Sequence, residues 1–140
     1  MIRMLDHTAD VGFELEAPSV EALFEEARRA LVMIVLENPP EHGRGEKEIR
    51  LSGPDLETLL VRWLNELVYL LQDLRFVPVG SRIGIREAGG VWFALEASLS
   101  GAPLEPQEQG FTGEIKSATF HGLEVQSGSG GWRARVILDV

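Results

Sequence analysis

The chain has 140 residues, no cysteine, and 13 Lys+Arg against 22 Asp+Glu, for a formal charge of −9. That balance opposes a free-standing grip on nucleic-acid phosphates or docking on anionic lipid, because both need a basic surface, and the missing cysteines exclude disulfide scaffolds, thiolate zinc sites and cysteine nucleophiles. With 44% hydrophobic and 25% charged residues, and no apolar run near the roughly 20 residues of a membrane span, the expectation is one globular domain over 1–140, with no secretory leader and a cytoplasmic location.

Val11, Phe13, Leu15 and Ala17 alternate with Gly12, Glu14 and Glu16, the period of a half-buried strand. Asp10 has the parity of the polar face. Ser19 is an N-cap for a helix carrying Val20, Leu23, Phe24, Ala27, Leu31, Ile34 and Val35 on one side. Arg28 and Arg29 fall on its wet side, with a Glu25–Arg29 pair expected. Asn38-Pro39-Pro40 ends the helix, and residues 46–51 read as a short strand. A capping-box-like Ser52-x-x-Asp55 opens a second helix. Its apolar face runs Leu56, Leu59, Leu60, Trp63, Leu64, Leu67, Leu71 and Leu74, with Asn65 among the polar positions opposite.

The remainder is β-rich. Residues 82–87 and 91–99 alternate around Gly89-Gly90, the pattern of a hairpin. Residues 101–113 read as a long surface loop. Leu123 and Val125, a Gly128–Gly131 turn, and Trp132, Ala134, Val136, Leu138 and Val140 form a second hairpin. Arg133, Arg135, Ile137 and Asp139 share its other face. The expected fold is α+β: a mainly antiparallel sheet with two helices packed on one face. Phe24, Leu31, Trp63, Leu67, Phe93 and Trp132 are the expected core.

P-loop, dinucleotide and nucleophile-elbow signatures are absent. Asp6-His7-Thr8-Ala9-Asp10 gathers two carboxylates, an imidazole and a hydroxyl, a set able to ligate a hard cation or simply to form a turn. Asp139-Val140 supplies further anionic oxygen at a strand end, or is merely solvated. Lys116, one of two lysines, lies between the long loop and a strand. It suits a phosphate or partner contact, or an ordinary surface position. His121 is either an acid–base group or a hydrogen-bonded strand histidine.

Asp6–Gly12, Leu59–Leu67, Glu114–Val125 and Val136–Val140, in that order, resemble the archease family along nearly the whole chain; residues 76–112 carry little of the likeness. The resemblance implies an accessory protein of tRNA splicing or RNA repair, not itself an enzyme. It would promote GTP-dependent guanylylation and multiple turnover of an RtcB-type RNA ligase. It implies a divalent-metal site, calcium or else magnesium, at Asp10, Asp139 and Val140, and a functional lysine at Lys116, with His7 and His121 as secondary candidates. An acidic protein need not hold RNA itself to act on a ligase whose RNA-binding surface is basic. The alternatives are an acidic chaperone-like binding module for RNA-processing enzymes and a metal-dependent hydrolase built on Asp10, Asp139 and a histidine.

Overall fold

A computed structural model describes residues 1–6 and 10–140. Its elements run β1 (Ile2–Asp6), β2 (Asp10–Ala17), α1 (Val20–Val35), β3 (Gly45–Gly53), α2 (Leu56–Gln72), β4 (Phe76–Ala88), β5 (Trp92–Pro103), α3 (Pro106–Gln109), β6 (Ser117–Ala118), β7 (Glu124–Gly128) and β8 (Gly131–Asp139). Every strand pairing is antiparallel, so the α+β expectation holds.

The strands divide between two sheets. One runs β1-β2-β8-β6, with β7 also on β8; the other is β3-β5-β4. Both long helices touch both sheets and each other, so they form the middle layer. This placement explains a feature of α2 that a one-sided stripe does not. Besides the stripe, its Val61, Val68 and Leu70 are buried, because a helix enclosed on most sides needs apolar residues on most sides. Trp63, Leu67, Phe24 and Leu31 are fully buried, whereas Phe93 and Trp132 are only partly buried against the core.

Ser19 caps α1 as expected, its side chain accepting from the Ala22 N–H at 3.1 Å. Arg28 departs from expectation. It is 5% exposed, donates to the Pro78 carbonyl at 2.6 Å and pairs with Glu25 at 2.7 Å. A buried guanidinium needs these partners, and here they tie α1 to β4. Arg29 pairs with Glu26, not Glu25.

Ser52 does not cap α2, because β3 continues through it to Gly53. Asp55 is the cap, accepting from the Thr58 N–H at 2.7 Å. The Thr58 side chain and then this backbone bond hold the Asp55 carboxyl below its ordinary range, since both favour the charged form. A group with a lowered folded pKa stabilises fully above its unfolded pKa and loses that contribution as pH falls through the folded one. Asp55→Ala is therefore expected to cost about 1 kcal/mol at neutral pH. In urea titrations the gap to the unsubstituted protein should narrow below about pH 4.

The expected loop over 101–113 is shorter than its composition implies. β5 runs on to Pro103, and α3 opens with Pro106 at its first position, where the missing N–H costs nothing. β1, too short for a convincing alternation, adds an edge strand beside β2.

Candidate functional site at the end of the larger sheet

β2 pairs with β8 along its full length, and the ladder ends on Asp10 opposite Asp139. The register gives these two positions the face shared by Glu14, Glu16, Arg133 and Arg135, away from buried Phe13, Leu15, Val136 and Leu138. Directly opposed antiparallel residues have Cβ atoms about 4.5–5.5 Å apart, and like charges so placed destabilise the pair.

On its other side Asp139 pairs with Ser117 of β6. The Lys116 N–H donates to the Asp139 carbonyl at 2.8 Å, while the Lys116 residue is exposed. Val140 follows, also exposed. The fold thus gathers Asp10, Asp139, Val140 and Lys116 at one end of the sheet. Nearby, Gly12 permits close packing: a Cβ there would lie 2.8 Å from both Ile137 Cδ1 and the Val136 carbonyl. Ile137, given the polar face by strand parity, is in fact buried.

His7 lies outside the described residues. His121 occupies the exposed turn between β6 and β7, where its backbone N–H donates to Thr119 Oγ1 at 3.3 Å. Thr119 Oγ1 in turn donates to the Ile137 carbonyl at 3.2 Å. No hydrogen bond of the His121 ring occurs among the described residues, so these contacts order the turn without assigning the imidazole a task.

Two residues that hold the lysine segment escape a reading from sequence. Asn65 Nδ2 donates to the Ala118 carbonyl at 3.4 Å, and its Oδ1 accepts from the Ala118 N–H at 2.7 Å. Gln72 repeats the pattern on Ile115: its Nε2 donates at 2.8 Å and its Oε1 accepts at 2.6 Å. Seven residues apart, they lie two turns along one face of α2. Their amides present the donor and acceptor that a neighbouring strand would. They flank Lys116 and fix its segment between α2 and β8. The signal available in the sequence was two carboxamides at heptad spacing beside an apolar stripe.

The arginines of β8 do not form a free basic stripe. Across neighbouring strands the register runs Arg3, Glu14, Arg135, Glu124, and beside it Glu16, Arg133, Gln126. Arg3 pairs with Glu14, and Arg133 with Glu16 at 3.3 Å. Arg135, although flanked by Glu14 and Glu124 in the register, forms no ion pair among the described residues, and its buried Nε has no hydrogen-bond partner among them.

The oxygen-only donor set suits a hard divalent cation, with calcium or magnesium favoured over zinc. Among the described residues no group of three or more His, Cys, Asp or Glu side chains is placed to hold a metal ion, so main-chain or terminal oxygen would have to complete the set. Among the described residues no helix is long and apolar enough to cross a membrane.

The architecture defines an α+β protein with two helices enclosed by antiparallel sheets and an acidic, lysine-flanked end to the larger one. The model of the Archease protein family matches residues 3–140. The chain is 37% identical to Protein archease of Methanosarcina mazei over 137 residues, covering 97% of this chain and 93% of that one. It is 32% identical to Protein archease of Pyrobaculum islandicum, covering 96% and 92%. The solution structure of Methanobacterium thermoautotrophicum protein 1598 superposes with a TM-score of 0.80 at 25% identity, over 99% of this chain and 98% of that one. The chain belongs to the archease family.

Proposed function

We propose that this protein activates an RtcB-type RNA ligase, promoting its guanylylation with GTP and its multiple turnover in tRNA splicing or RNA repair. Support comes from family membership along nearly the whole chain and from the convergence of Asp10, Asp139 and Lys116 at one sheet end. Asp10 and Asp139 would hold one divalent cation, calcium in the first instance, with Val140 adding an oxygen. A cation held there would supply a positive centre for an anionic group, with the charges of Asp10 and Asp139 balancing it. The chain's own part is positional. The β2–β8 ladder pairs the Asp10 and Asp139 positions, and the Asn65 and Gln72 clamps hold the Lys116 segment against the Asp139 backbone. A lysine ammonium meets a phosphate or carboxylate as a compact point charge. With a formal charge of −9, the protein would act on the ligase by contacting it and not by holding RNA.

The test is guanylylation of the ligase with substoichiometric accessory protein. Stimulation beyond one turnover is expected, together with inertness of the protein alone on phosphoesters in magnesium or manganese. Hydrolysis by the protein alone would favour the metal-dependent hydrolase instead. Lys116→Ala should fold normally, its exposed side chain contributing within about 0.5 kcal/mol to stability. It should lower stimulation about tenfold, the effect of roughly 1.4 kcal/mol. Unchanged guanylylation would make Lys116 an ordinary surface residue.

A further inference from the structure

A second feature lies on the other sheet. Where the start of β3 meets the turn after α2 and the end of β5, an open groove of about 650 Å³ is lined by His42, Arg44, Lys47, Leu74, Arg75, Phe76 and Pro103, with glycine and alanine backbone completing the wall. Among the described residues no carboxylate lines it. Asp73 and Glu46, adjacent in sequence, are not part of the lining. Among the described residues Arg44, Lys47 and Arg75 enter no ion pair, and they share this one groove. Lys47 Nζ sits 5.9 Å from the centre of the Phe76 ring, a cation–π contact that leaves its outer side available.

Arg75 adds an independent sign. Its φ is +56°, the one left-handed non-glycine among the described residues. Glycine would adopt that conformation without strain, yet the position carries a cation. Strained residues of this kind cluster at functional sites. Leu74 beside it is 47% exposed, so the groove joins an apolar contact to a set of uncompensated positive charges.

We propose that this groove docks an acidic segment of a protein partner, one aliphatic or aromatic side chain resting against Leu74 and Phe76 while flanking carboxylates meet Arg44, Lys47 and Arg75. Charge complementarity selects this occupant over a polynucleotide. A polynucleotide carries its charge continuously and needs a basic track. Here the basic set is three side chains in one groove of a protein whose formal charge is −9. A peptide can concentrate its charge where the groove supplies the opposite sign.

The test is fluorescence anisotropy with a short fluorescein-labelled peptide of aspartates and glutamates around one leucine, set beside a labelled single-stranded oligouridylate. The intact protein should bind the peptide, more weakly as salt rises. The double variant Arg44→Ala/Lys47→Ala should bind about tenfold more weakly or worse. Arg75→Gly should weaken binding while the melting temperature stays equal or rises, which separates loss of the site from loss of fold. Arg82→Ala, an exposed arginine elsewhere on β4, should change nothing. Equal peptide affinity across all variants would overturn the proposal. So would tighter groove-dependent binding of the oligouridylate, or self-association of the intact protein that the groove variants abolish.

Discussion

Trp63→Ala is expected to cost about 3–5 kcal/mol of stability, the range for truncating a large buried aromatic. The indole is fully buried at the centre of the helical layer, tilted against Phe24 with ring centroids 6.5 Å apart. Its Nε1–H donates to the Phe24 carbonyl at 2.9 Å, joining α2 to α1. Because both helices are held between the sheets, the space left by the ring has little freedom to collapse. At this chain length the loss corresponds to a fall of roughly 10–20 °C in melting temperature. Trp63→Phe keeps most of the volume and leaves the Phe24 carbonyl its helical N–H partner, so about 1–3 kcal/mol is expected. Urea unfolding of both variants checks the order. A Trp63→Ala loss below about 1 kcal/mol would contradict the enclosed helical layer.

The second large effect concerns Asp139 and changes sign with calcium. In the absence of the ion, Asp139→Asn removes the carboxylate charge at the position paired with Asp10 and should leave stability equal or higher. With free calcium at about 100 times its dissociation constant, the unsubstituted protein should gain about 2.7 kcal/mol, because a ligand that binds only the folded state stabilises it. Asp139→Asn should gain little. Thermal unfolding with and without calcium reads this directly and needs no ligase. A calcium-dependent gain of equal size in both proteins would remove Asp139 from the site.

Local signals were legible in the sequence and non-local ones were not. Ser19 announces the start of α1 because a cap acts within three residues. Asp55 was obscured by Ser52, since both have cap chemistry and only the end of β3 decides between them. Alternation in β5 and β8 shows that one face is buried, but not which sheet a strand joins. The division into two sheets depends on contacts between distant segments. The fuller sign was in α2, where Val61, Val68 and Leu70 extend the apolar surface beyond a single stripe. Arg28 reads as wet from its spacing, and only the Pro78 carbonyl arriving from β4 makes its burial tolerable. For the site, strand parity allowed Asp10 and Asp139 to share a face. Their direct opposition is a matter of register, and family likeness pointed to the pair before any pairing was known. The approach of Lys116 to Asp139 depends on Asn65 and Gln72, whose partners lie 53 and 43 residues away.

The central claim is that one divalent cation at Asp10 and Asp139 is required for activation of the ligase. The most direct measurement is calorimetric titration of calcium into the intact protein, Asp10→Ala and Asp139→Ala, each preparation being assayed in parallel for multiple-turnover RNA ligation. One calcium site is expected in the intact protein. Both substitutions should abolish that site and the stimulation together, while circular dichroism remains native-like. Full stimulation by a variant that no longer binds calcium would contradict the account.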